Sequence, residues 1–188
     1  MVARAEAAQA TAERVLEVAL ELFTDNPYEH VSLEQVAKRA GVTKRTVIRR
    51  FGAKEELFVR SMEHGGLEEM RRRDAAPVGD IAAAVANVVE SYERWAPNRL
   101  RLLAQEDRIP IVAENVEIGR RYHHEWVERT FAPLIERLRG AARGRRVAAL
   151  IALTDVYTWK LLRRDLGLSK ADTEQTLSEL ISKLEGEP

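Results

Sequence analysis

The sequence predicts an all-α protein, and three observations carry that prediction. Apolar residues recur at three- and four-residue spacing along most of the 188 positions. Capping residues stand ahead of several of these runs, with Gly or Pro beyond them. No segment carries the alternating pattern of a strand. The length allows one sizeable core or two small coupled domains. With no cysteine in the chain, disulfides, thiolate metal sites and cysteine nucleophiles are all excluded.

The residues before Thr11 are small and polar, with Arg4 among them, and read as a frayed arm. A first helix follows from about Thr11 to Thr24, burying Val15, Val18, Ala19, Leu22 and Phe23. Asp25-Asn26-Pro27 stops it, because proline biases the preceding residue away from the helical region. Ser32 and Gln35 then make a capping-box pattern, and Leu33, Val36, Ala37 and Ala40 give one apolar face. Gly41 stands where a residue of positive φ closes a helix, and Thr43 caps another that runs through Phe51. The two short helices form a helix-turn-helix.

On the second of them, Val47 and Phe51 face the core, so Arg45, Thr46 and Arg49 point roughly the other way. From Lys38 to Lys54 there are seven basic residues and no acidic one, although the whole chain balances 30 against 30. Positive charge is therefore concentrated in this stretch, and four of the seven cations stand on the second short helix. Such a helix fits the major groove of B-DNA, where arginine can bond guanine in bidentate fashion and other basic or hydroxyl groups meet phosphates. The expected DNA-contact set is Thr43, Lys44, Arg45, Thr46, Arg49, Arg50 and Lys54, with Arg45 and Arg49 reading bases.

The run from Val15 to Phe58 resembles the N-terminal domain of the TetR family of transcriptional regulators, through LELF, LEQVAKRAGVTKRTVIRRF and KEELF. The sequence departs from that family where Ile48 replaces a usual tyrosine, Arg50 a usual histidine and Ala53 a usual serine. Ile48 cannot donate the phosphate bond of the tyrosine hydroxyl, and Ala53 removes a helix cap. The resemblance implies a DNA-binding domain over 1–54 and a helical ligand-binding and dimerisation domain over 55–188.

A fourth helix reads from Lys54 to about Arg73, with Gly65-Gly66 in its interior, either a hinge between head and body or a close packing contact. Residues 74–79 form a linker. Asp80 caps a helix to about Trp95, Pro97 ends or restarts it, and Asn98 to Glu106 makes a short helix. Pro110 breaks the chain again, and a long helix from Ile111 to Arg139 is expected to bend at Pro133. Arg145 to Asp165 forms the most apolar helix, and Ser169 caps a last one carrying Leu177, Leu180, Ile181 and Leu184 on one stripe. Together these two helices leave more apolar surface than a small body covers alone. Trp159, Leu162, Leu177, Leu180, Ile181 and Leu184 are the expected homodimer interface, a pairing that the resemblance also implies. A two-fold dimer implies a palindromic double-stranded operator.

His123-His124-Glu125 is the only cluster that invites a metal or catalytic reading, and it lacks the HExxH spacing and a third ligand. With no phosphate loop or nucleophile elbow either, no enzyme, metal or cofactor is expected. Tyr92, Trp95, Tyr122, His123 and Trp126 supply the aromatic and polar lining of a pocket, and the resemblance implies a small, largely apolar effector there that releases a repressor from its operator. The alternative is an adaptor that sets its basic helix on an acidic protein. Neither a signal-peptide core nor a membrane-length segment is present, so a cytoplasmic location is expected.

Overall fold

A computed structural model describes residues 2–186, and every regular element among them is helical. The α-helices are α1 (Val2–Asp25), α2 (Leu33–Arg39), α3 (Lys44–Phe51), α4 (Lys54–Asp74), α5 (Ile81–Leu103), α6 (Pro110–Thr130), α7 (Ala132–Ile135), α8 (Gly140–Leu153), α9 (Val156–Lys160) and α10 (Lys170–Lys183). No helix among the described residues is long and apolar enough to cross a membrane.

Several expected boundaries are corrected. The first helix begins at Val2, not Thr11. The alanine-rich start is a strong helix former, and Thr11 bonds back to the Ala7 carbonyl at 2.8 Å while Gln9 donates to Glu13 at 3.0 Å. Pro97 neither ends nor restarts a helix: α5 passes through it. Proline removes one ladder bond and costs about 3 kcal/mol, a loss outweighed by Val85, Val88, Val89, Tyr92 and Ala96 buried along the same helix. Pro133, by contrast, does more than bend. The helix ends at Thr130, and Pro133 lies in the first turn of the four-residue α7. The apolar helix is also broken, because the Thr154 carbonyl turns to accept the Tyr92 hydroxyl at 2.9 Å and Asp155 caps a new start on the Tyr157 N–H at 2.8 Å. A π turn over Leu161–Asp165 then closes α9.

Other local expectations match. Ser32 and Gln35 form the reciprocal capping box, Gly41 has φ 69°, Asp80 accepts from the Ala83 N–H, and Ser169 accepts from the Asp172 N–H. The fourth helix runs unbroken through Gly65-Gly66. A Cβ at Gly65 would collide with Leu20, whereas one at Gly66 would meet nothing. Gly65 is thus a packing contact.

Contacts group the chain into two compact units: residues up to Glu68 with Arg101–Val116, and Glu69–Leu100 with residues from Glu117 onward. This packing division differs from the functional division drawn at 54/55. In the first unit Phe23, Tyr28 and Phe58 meet with ring centroids 5.1 to 5.6 Å apart, over Val15, Val36, Val47 and Leu57. Ile109, Val112 and Val116 complete that core. Buried Gln105 ties the segment down: its carbonyl accepts from the Tyr28 N–H at 2.8 Å, its amide donates to the Arg101 carbonyl at 2.7 Å, and Arg101 donates to the Thr24 carbonyl. The second unit is built on Val85, Val88, Trp126, Phe131, Leu150, Trp159, Leu177 and Ile181, all at most 2% exposed.

Candidate nucleic-acid interface

Recognition would fall to α3, which the first unit holds by its apolar side. Val47 and Phe51 are buried, while Lys44, Arg45, Arg49 and Arg50 are exposed and Thr46 half-buried. The start of α3 is pinned by Thr43, whose hydroxyl accepts from the Thr46 N–H at 3.2 Å and lies 3.0 Å from the Thr46 hydroxyl. Its end is set by Gly52 at φ 72°, a left-handed residue that the sequence reading did not single out. Arg14 donates from Nε to the Ala40 carbonyl at 3.0 Å and so secures the turn between α2 and α3. Nothing local marks Arg14 for this, because its partner is 26 residues away.

The cations differ in how free they are. Arg45 and Arg49 have no ion-pair or hydrogen-bond partner among the described residues. Lys44 lies 3.8 Å from Glu34, an exposed pair that contributes little. Arg50 donates to Gln9 of α1 at 3.2 Å, a brace the sequence reading missed because it assigned that segment to a frayed arm. Lys54 is the most committed of the set. Half-buried, it donates to the Tyr28 carbonyl at 2.6 Å and sits 4.2 Å from the centre of the Tyr28 ring. Burial holds its pKa below the usual lysine value, while burial and then the Glu55 charge push Tyr28 up to about 12. Ile48, 45% exposed, adds an aliphatic patch beside the arginines.

The residues expected to line a pocket lie in the second unit. Tyr92, His123 and Trp126 are buried, and Trp95 and Tyr122 are half-buried. Four of the five converge on Arg73, which is 1% exposed. Arg73 donates to His123 Nδ1 at 3.0 Å and lies 4.3 Å from the Trp126 ring and 5.6 Å from the Tyr122 ring, while its charge acts on Tyr92. The sequence reading did not single out Arg73. His124 pairs with Glu128, which Arg143 also holds at 2.7 Å, and no group that could hold a metal ion occurs among the described residues.

Of the residues expected at a dimer interface, Trp159, Leu177 and Ile181 are covered by their own chain, while Leu162 and Leu184 are half-buried. Leu180 is 40% exposed. Beside it in sequence pattern, Tyr157, Leu161 and Leu166 are exposed by about half or more.

A capped turn that presents an exposed basic helix from an apolar core has the architecture of a helix-turn-helix DNA-binding unit. Residues 15–60 match the family described as bacterial regulatory proteins, tetR family. No curated protein sequence matches the chain. Among solved structures, the fold is shared by a protein of Pseudomonas aeruginosa PAO1 described as a transcriptional regulator (TM-score 0.75, 15% identity, covering 94% of this chain and 90% of that one). It is shared as well by NalD of Pseudomonas aeruginosa, the secondary repressor of the MexAB-OprM multidrug efflux pump (TM-score 0.62, 23% identity, 94% and 96% covered), and by a TetR-family regulator of Streptomyces coelicolor (TM-score 0.56, 16% identity, 94% and 95% covered). Residues 15–60 thus form a tetR-family DNA-binding domain, and the chain as a whole shares the fold of the regulators named.

Proposed function

We propose that the chain is a homodimeric, cytoplasmic repressor that binds a palindromic operator and leaves it when a small, largely apolar effector binds the body. The single observation carrying this reading is the state of α3. Val47 and Phe51 are sealed in the core, while Arg45 and Arg49 project with no partner among the described residues. Two unpaired guanidiniums on one rigid helix suit bidentate contacts to guanine, each worth about 1–3 kcal/mol of discrimination. Thr43, Lys44, Thr46 and Arg50 are assigned to phosphates, and Lys54 contributes to the same face while bracing Tyr28. Residues 1–54 carry the DNA-binding function, and 55–188 carry effector binding and dimerisation.

The homodimer rests on α9, its π turn and α10. Because Trp159, Leu177 and Ile181 are already buried, the area left for a second copy is that of Leu161 and Leu180, flanked by Leu162 and Leu184. Two-fold pairing would set two α3 helices about 34 Å or a longer helical repeat apart. No catalytic role is assigned to any residue.

Selection of the full-length protein on random-sequence duplexes, with its mass in solution measured by sedimentation, tests the reading. The expected result is a dimer enriching an inverted repeat, with Arg45→Ala and Arg49→Ala each relaxing one base position and Lys44→Ala lowering the salt slope of binding. A monomer, or a pool without enrichment at moderate salt, would refute it.

A further inference from the structure

Arg73 presents an electrostatic problem that the protein's own residues leave unsolved. Charged side chains are almost never fully buried unless paired, and a guanidinium cannot escape by losing its proton. Arg73 is nonetheless 1% exposed, and its Nε is buried with no hydrogen-bond partner among the described residues. Its one strong bond goes to a neutral acceptor. Thr154 uses its hydroxyl proton on the Leu150 carbonyl at 2.7 Å, so at the 3.2 Å contact with His123 Nε2 the ring must be the donor. His123 Nδ1 is then the lone-pair acceptor facing Arg73 at 3.0 Å. The Trp126 face, 4.3 Å away, eases the charge without cancelling it.

The nearest counter-charge is shared and misplaced. Glu69, one helical turn before Arg73 on α4, acts on it only through space, and its Oε1 is itself buried without a hydrogen bond. Glu69 also lies 3.7 Å from Arg99, which stands over the Tyr92 ring and donates to the Ser91 hydroxyl at 3.3 Å. Two guanidiniums and one carboxylate leave this interior one positive charge in excess. Glu69 and Ser91 also line a cleft of about 130 Å³ with Arg72, Asn87, Arg94 and Glu90, whose carboxylate Lys170 holds at 2.6 Å, so the cluster borders on the surface.

We propose that the second unit binds a monocarboxylate with an aromatic or aliphatic body, its carboxylate seated on the Nε edge of Arg73. One excess positive charge matches a carboxylate, whose planar oxygens suit the guanidinium fork. Tyr92, Tyr122 and Trp126 surround Arg73 with aromatic rings, and the Tyr92 face that Arg99 now covers suits an apolar body once Arg99 moves off it. The ligand reaches Arg73 from the cleft by displacing the loose contact between Arg99 and Glu69, of which Glu69 lines the cleft. This deepens the effector part of the proposed function by naming the effector's class.

The test is a thermal-shift and calorimetric comparison on the full-length chain without DNA. Benzoate, phenylacetate, indole-3-acetate and octanoate are each set against the corresponding primary amide. The inference expects at least one acid to bind and raise the melting temperature, its amide to do neither, and Arg73→Met to weaken that acid at least tenfold, about 1.4 kcal/mol. A structural role alone would make Arg73→Met unstable. Here the unliganded variant is expected to melt at or above the wild-type temperature, because an apolar side chain replaces an uncompensated buried charge. If no acid binds, if acid and amide bind alike, or if Arg73→Met binds the acid as wild type does, the inference fails. The acid-against-amide comparison decides it even if the variant does not fold. Carboxylate binding without operator selection would overturn only the repressor reading, and operator selection without carboxylate binding only this one.

Discussion

Replacing His123 with glutamine should flatten the acid limb of the stability curve, and the size of the effect follows from the surroundings of the ring. His123 is 9% exposed, accepts from Arg73 and donates to Thr154. Burial first, and the charges of Arg73 and Arg99 next, lower its pKa from 6.5 to about 3. In the unfolded chain the ring takes a proton near pH 6.5, while in the folded chain it stays neutral down to about 3. Stability from the neutral ring is therefore fully present above 6.5 and is lost progressively as the pH falls toward 3. The loss runs at up to about 1.4 kcal/mol per pH unit, or about 2 kcal/mol between pH 7 and pH 5. Carboxylates titrate over the same acid range, so the informative quantity is the difference between wild type and His123→Gln, whose amide can still accept and donate. Urea unfolding at pH 7, 6 and 5 and fixed protein concentration would report it through tryptophan fluorescence, since Trp95, Trp126 and Trp159 all lie in the second unit. Equal acid losses in the two proteins would refute a neutral, Arg73-facing His123.

Three further outcomes are expected. Gly41→Ala should cost about 1–2 kcal/mol, because φ 69° strains any L side chain, whereas Gly66→Ala, in open space within α4, should gain about 0.5–1 kcal/mol; melting curves of the two variants should shift in opposite directions. Gln105→Leu strips the buried Tyr28 N–H of its acceptor and should cost about 1–3 kcal/mol, seen as faster hydrogen exchange at the Tyr28 amide. Leu161→Glu combined with Leu180→Glu should yield a folded monomer by sedimentation, while Trp159→Ala, which empties a site buried within one chain, should cost about 3–5 kcal/mol; a double variant that stays dimeric would dismiss the proposed face.

By itself the sequence determined what depends on neighbours within a turn or two. The Ser32 and Thr43 caps, the left-handed Gly41 and the burial of Val47 and Phe51 were all legible, because each is settled by the next three or four residues. Proline misled for the same reason. Local rules treat Pro97 and Pro133 alike, yet one lies inside α5 and the other in the first turn of a new helix, a difference made by what each flanking stripe buries. Only the tertiary structure brought Gln105 to Tyr28, Arg14 to Ala40, and His123 and Trp126 to Arg73, across separations of 26 to 77 residues. Helical periodicity states that a face is covered and is silent about which side chain covers it, so a lone buried guanidinium looks, in sequence, like one more arginine in a basic run.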